Sequence, residues 1–223
     1  MLKVVLFDLD DTLVDQESAA RSALLDWVLE LGPDLDDQDE LLAAWLAVSE
    51  EAYARYSRRE ITFADQRRLR VREFLGADAS DEEADELFSG YLTRYEQAWR
   101  AFDDAVPTLR RVRDAGLVTA LLTNGDGDHQ RRKLDRTGLA AHLDVVVASG
   151  DLPAGKPDPR AFAAVCEILG VAPDSVLMVG NDVVKDYQGS LDAGLRAVLL
   201  DRAGLHPEVE HRIAGLAELD LRG

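Results

Sequence analysis

Five short apolar runs set the limits on what this chain can fold into. Val4–Phe7 reads Val-Val-Leu-Phe with no polar position, as a strand buried on both faces does. Residues 118–122, 176–179 and 197–200 repeat the pattern, and 145–147 is a shorter fifth candidate. Amphipathic segments lie before and between the later runs. Residues 106–115 have Pro107 suited to a first helical turn and Gly116 to a stop, and 130–137, Pro159–Leu169 and 185–193 follow. Strands alternating with helices predict an α/β fold, a Rossmann-like parallel sheet covered on both faces.

Residues 15–102 break this rhythm and hold no strand-like run. Residues 18–31 look helical and end at Gly32-Pro33, and 39–56 make a second helix. Thr62 with Asp65 resembles a capping box opening a third helix to Leu75, closed by Gly76. Ser80 with Glu83 is a cleaner capping box and opens a fourth, to about Arg100. The expected plan is a core of residues 1–14 and 103–223 with an all-helical unit, 15–102, inserted after the first strand. Trp27, Trp45 and Trp99 in that unit read as core. After Gly204 a short helix carrying Ile213, Leu216 and Leu219 is expected.

Charge narrows the partners. The sequence has 25 Lys and Arg against 43 Asp and Glu, a net charge of -18. Such a surface repels nucleic acid and anionic membranes. It also repels phosphate esters at long range, so a phosphate site here needs local cations. The only lysines are Lys3, Lys133, Lys156 and Lys185, so a lysine inside a motif is less easily accidental. No apolar run nears the roughly 20 residues that span a bilayer. The N-terminus has no secretory pattern, and a cytoplasmic location is expected. The lone Cys166 excludes an internal disulfide and reads as a small buried hydrophobe.

Polar motifs follow the apolar runs, where open parallel sheets bind ligands. Asp8 and Asp10 come directly after the first run, and alternation in an extended segment can turn both to one side. One carboxylate can attack phosphorus, forming an aspartyl-phosphate. The other can protonate the leaving oxygen and then deprotonate the hydrolytic water. Two anions so close require a cation. Thr123 can donate its hydroxyl, and the Asn124-Gly125 turn its backbone N–H groups, to phosphate oxygens. Lys156, in Gly155-Lys156-Pro157-Asp158-Pro159, is held by two prolines and suits phosphate charge in a transition state. Asp182 and Asp186, after the 176–179 run, offer oxygens to a hard cation, although helix-capping roles fit them as well.

Taken in order, Asp8/Asp10/Thr12, Thr123, Lys156 and Asp182/Asp186 resemble the haloacid dehalogenase-like hydrolase superfamily, in the phosphatase branch with an α-helical cap after the first strand. The resemblance covers nearly the whole chain. It implies Asp8 as nucleophile, Asp10 as general acid/base, and Thr123 with the Asn124 amide as phosphoryl holders. Lys156 would neutralise the phosphoryl group and orient Asp8. Mg2+ would be bound by Asp8, by Asp10 through its carbonyl, and by the last acidic motif. Many relatives have Gly-Asp where this chain has Gly180-Asn181. Either Asn181 ligates through its carbonyl with Asp186 behind it, or Asp182 takes over, and Asp182 is favoured. The helical unit becomes a cap that closes over the site and selects the substrate. Its third helix carries Arg67, Arg68, Arg70 and Arg72, and Arg70 is the candidate for an anionic substrate group. The implied reaction is Mg2+-dependent hydrolysis of a small phosphate monoester. The alternatives are a sugar-phosphate phosphomutase or a non-catalytic binding protein on the same fold. Asp10 disfavours dehalogenation, since a haloacid needs no leaving-group acid. Schiff-base phosphonate cleavage is excluded because no lysine lies between Lys3 and Lys133.

Overall fold

Val4–Phe7 forms strand β1, and all four side chains are buried. Alternation along the strand sends Val5 and Phe7 into one apolar cluster and Val4 and Leu6 into another, so both sheet faces are covered. A computed structural model describes residues 1–31 and 38–222. After β1 come four helices, α1 (Gln16–Leu31), α2 (Gln38–Ser57), α3 (Phe63–Leu75) and α4 (Asp81–Ala98). Then follow α5 (Ala105–Asp114), β2 (Val118–Thr123), α6 (Gly127–Thr137), β3 (Val145–Ala148), α7 (Pro159–Leu169) and β4 (Val176–Gly180). A π-helical turn (Val183–Gln188), α8 (Gly189–Asp192), β5 (Arg196–Leu200) and β6 (Arg212–Ile213) complete the order. Among the described residues no helix is long and apolar enough to cross a membrane.

The six strands form one parallel sheet in the order β3-β2-β1-β4-β5-β6. The fold is α/β and Rossmann-like. Phe7 lies opposite Leu121 on one side and Val179 on the other, so β1, β2 and β4 end close to the same level. The strand order reverses at β1, the place where such sheets leave a crevice for ligands. Leu109 and Val112 of α5 and Leu134 of α6 pack on the Val5/Phe7 face, while Phe162, Val165 and Cys166 of α7 cover the other. Each fully buried Val, Leu or Phe stabilises by about 1.5–3 kcal/mol, which makes the β1 run a strong anchor for the residue after it.

The chain separates into two compact units, Met1–Asp15 with Arg100–Gly223, and Gln16–Trp99. Within the first unit the Asp15 amide donates to the Arg100 carbonyl (3.0 Å) and Phe102 to Leu13 (2.9 Å), so the ends of the excursion are tied together. In the helical unit, α3 and α4 both start with complete capping boxes, Thr62 with Asp65 and Ser80 with Glu83. Gly76 stops α3 in the left-handed conformation (φ 60°) that a glycine adopts without strain. The interior is aromatic: Trp45 lies 4.6 Å from Tyr91 and 5.2 Å from Phe74, ring centre to ring centre. All three tryptophans are buried.

Two expectations fail. The stretch after Gly204 is not a helix. The Asp201 carboxylate accepts from the Leu205 and His206 amides, which turns the chain there. Arg212 and Ile213 then pair with β5, and Leu216–Glu218 makes one 3-10 turn. Residues 185–193 are a π-helical turn leading into a short helix rather than one regular helix. The expected stop at Gly32-Pro33 lies outside the described residues.

Replacing Ser80 with alanine removes the acceptor of the Glu83 amide and is expected to destabilise the helical unit by about 1 kcal/mol. Urea unfolding followed by tryptophan emission checks this. An unchanged midpoint would show that the cap contributes nothing.

Candidate active site

Asp8 follows β1, and its amide donates to the Val179 carbonyl of β4 (2.9 Å), so the sheet itself fixes its backbone. Asp11, three residues on, takes φ 59°, a left-handed conformation that Asp tolerates better than most residues, and the chain turns back. The Thr12 carbonyl in this turn accepts from Arg202, whose guanidinium is forked to Asp104 (2.8 and 3.0 Å) and lies over the Phe102 ring.

The Asp8 carboxylate meets Lys156. Lys156 Nζ donates to Asp8 Oδ1 at 2.6 Å and to Asp186 Oδ1 at 2.6 Å, and all three residues are buried. Burial pushes the Asp8 carboxyl up to about 7. Lys156 opposes that rise, and the Asp186 and Asp10 charges add to it. Burial disfavours the Lys156 ammonium, yet the Asp186 and Asp8 carboxylates hold it above the usual lysine range. The lysine backbone is equally constrained. Its amide donates to Asn124 Oδ1 (2.9 Å), and its carbonyl accepts from Asn124 Nδ2 (2.8 Å). The Lys156-Pro157 bond is cis. Asn124 therefore couples the end of β2 to the lysine loop through its side chain.

Asp186 sits in the π-helical turn, a backbone form often found at functional sites. Its Oδ2 accepts from the Asp182 amide (3.0 Å). Gly180 is obligatory beneath it, because a Cβ there would lie 2.3 Å from the Asp186 carboxyl carbon. Asp182, the favoured ligand from the sequence, caps the turn. It accepts from the Val184 and Lys185 amides and pairs with Lys185 (2.9 Å). Asn181 Oδ1 accepts from the Thr12 hydroxyl (3.1 Å), which ties the asparagine to the first motif.

Asp10 and Thr123 meet α6, a helix expected from the sequence but with no site residue expected on it. Lys133 of α6 donates to Asp10 Oδ1, and Gln130 donates to Asp10 Oδ2 at 3.2 Å. Gln130 Nε2 also donates to Thr123 Oγ1 (2.7 Å). With that oxygen already accepting, the Thr123 hydroxyl hydrogen is directed elsewhere. The rarity of lysine was the one available signal for Lys133.

Asp8, Asp10, Thr123, Asn124, Lys156, Asn181, Asp182 and Asp186 are thus gathered in the α/β unit. Arg70 belongs to the helical unit. Its guanidinium lies 4.4 Å from the Trp45 ring centre, also facing Phe88 and Tyr91, and burial lowers its proton affinity. Its neighbours Arg68 and Arg72 are spent on Asp81 and Asp85 of α4.

The family model of haloacid dehalogenase-like hydrolases matches residues 2–194. The chain belongs to this family. A phosphoserine phosphatase of Thermus thermophilus is 36% identical to this hydrolase, covering 99% of this chain and 97% of that protein. The human N-acylneuraminate-9-phosphatase is 30% identical over 92% of this chain and 85% of its own. The magnesium-bound HAD-hydrolase YfnB of Bacillus subtilis shares the fold, with a TM-score of 0.83, 21% identity and coverage of 97% and 96%.

Gly180→Ala must push the Asp186 carboxylate off Lys156. The hydrolase should lose roughly 3 kcal/mol or more of stability, the scale for breaking a buried ion pair. Thermal unfolding checks this, and an unshifted midpoint would mean that the loop has room to yield.

Proposed function

We propose that this hydrolase cleaves a small phosphate monoester through an aspartyl-phosphate on Asp8, with Mg2+ as cofactor. The observation that carries the reading is the Lys156 ammonium bonded to both Asp8 and Asp186, with Asp10 and Thr123 in the same unit. Relatives that are phosphatases support the reaction class.

The residues fit a hard cation. Three acidic groups, Asp8, Asp10 and Asp186, face the two ammonium groups of Lys156 and Lys133, so carboxyl oxygens outnumber the cations beside them. Mg2+ prefers one or two carboxylates with carbonyls, phosphate oxygens and waters, a donor set that oxygen groups of this kind can supply. Asp8, the Asp10 carbonyl and Asn181 Oδ1 would hold it, with Asp186 behind, since the Asp182 carboxylate is committed to the turn. When bound, the ion supplies charge neutralisation between the carboxylates and the phosphoryl oxygens.

The protein's own groups then account for the reaction. Lys156 holds Asp8 Oδ1, and the other carboxylate oxygen attacks phosphorus. As the P–O bond to the substrate breaks, the leaving oxygen takes a proton from the Asp10 carboxyl. Asp10, now a carboxylate, removes a proton from the water that attacks the aspartyl-phosphate, and Asp8 and inorganic phosphate are released. Thr123 donates its hydroxyl to the phosphoryl group throughout.

The test is phosphate release from phosphoserine, N-acylneuraminate 9-phosphate, phosphoglycolate, sugar phosphates and nucleoside monophosphates, with 2-chloropropionate as a dehalogenation control. At least one ester should turn over, and Asp8→Asn should lower its rate by about 10³-fold or more. Halide release without ester turnover would reject the reading. Chelation should abolish turnover, and added Mg2+ should restore it. Full activity after exhaustive chelation would remove the metal from the proposal.

A further inference from the structure

Asp10 moves a proton in both halves of the proposed reaction, and α6 holds both of its carboxylate oxygens. Lys133 takes Oδ1 and Gln130 takes Oδ2. The two donors are three residues apart and so share one helix face. They are 1% and 2% exposed, whereas Arg131, Arg132 and Arg136 of the same helix face solvent. An ammonium is taken out of water only when a partner compensates for it, and Asp10 is such a partner. The amide of Gln130 has a fixed sense as well. Its Nε2 faces Asp10 Oδ2, Thr123 Oγ1 and the Asn124 carbonyl, so a flipped amide would set a carbonyl oxygen against a carboxylate.

We propose that Lys133 and Gln130 are positioning residues for the proton transfer, fixing the plane of the Asp10 carboxylate so that it stays aligned with the leaving oxygen and then with water. The proposal rests on the reading of Asp10 as general acid/base. A carboxylate free to rotate about its Cβ–Cγ bond would present its proton along the required line only part of the time. Gripping both oxygens removes that rotation. The clamp also joins the proton carrier to the phosphate holder, because one Gln130 nitrogen serves both Asp10 and Thr123.

The experiment uses the whole Mg2+-loaded chain and two esters. One is the best alkyl phosphate from the panel. The other is p-nitrophenyl phosphate, whose leaving group departs without a proton. Rapid-quench measurement of aspartyl-phosphate formation isolates the first step. Lys133→Met should slow that step on the alkyl ester by about 30- to 100-fold, the scale of a misaligned catalytic group, with KM changed by less than about threefold. On p-nitrophenyl phosphate the loss should stay below about fivefold. Lys133→Arg, which keeps a donor, should recover part of the rate. In an Asp10→Asn background the same Lys133→Met change should cost less than about threefold, since residues acting as one unit are not additive. Equal losses on both esters, or an undiminished loss in the Asp10→Asn background, would overturn the proposal. Gln130→Met removes only the neutral donor and should show the same pattern at smaller size, which decides the matter if Lys133→Met does not fold. Retained turnover in Asp8→Asn would remove this proposal together with the reading beneath it. Loss of turnover in Asp8→Asn with additive behaviour at Lys133 removes this proposal alone.

Discussion

The Lys156 ammonium shared between Asp8 and Asp186 is the contact on which the rest of the α/β unit depends. Each carboxylate would be costly to bury alone, and one cation offsets both. The arrangement requires three backbone segments to agree within a fraction of an ångström. β1 sets Asp8 by its pairing with β4. The absent side chain of Gly180 leaves the space that Asp186 occupies. Asn124 grips the lysine backbone at amide and carbonyl. Packing on the two sheet faces holds these segments, so the apolar runs and the charged motifs are parts of one design.

The charge distribution gives this centre its context. The chain carries a net charge of -18, yet two of its four lysines, Lys133 and Lys156, are bonded to the paired carboxylates after β1. Repulsion from the acidic surface is screened beyond about 8 Å at physiological ionic strength. Inside the unit, buried ammonium groups are screened far less. Lys133 and Lys156 are thus local cations set among carboxylates in a chain whose surface is acidic. Asp8, raised to about 7 mainly by burial, is the group that most needs that cationic company.

Much of this could be read from the residues before any coordinates. A continuous apolar run is the pattern of a strand buried on both faces, and a carboxylate pair immediately after it has few structural uses. Thr123 was read from the end of another apolar run, and Lys156 from the two prolines around it. The capping boxes at Thr62 and Ser80 were equally legible, because hydroxyl and acid three residues apart satisfy local donors without help from the rest of the fold. What escaped depends on long-range geometry. Lys133 and Gln130 lie on a helix with little apolar sequence, where a lysine among arginines looks solvated. β6 spans two residues, too few for any period, and it forms because the Asp201 turn delivers it to β5. Spacing could not decide between Asn181 and Asp182. In the fold Asp182 accepts a capping bond and Asn181 accepts from Thr12, bonds that spacing alone does not reveal. Among the four arginines of α3, sequence could not separate those stacked on aromatic rings from those spent on ion pairs.

The aromatic interior of the helical unit has an optical consequence. Trp27, Trp45 and Trp99 are all the tryptophans of the chain, and all lie in Gln16–Trp99. Excitation at wavelengths that tyrosine does not absorb therefore lights only that unit, while the α/β unit stays dark. Emission from the native protein reports ring packing around Trp45 and Tyr91, and a thiol-directed dye on Cys166, on the buried face of α7, would report the other unit once it opens. Two signals without a single engineered label thus allow the melting of one unit to be timed against the other.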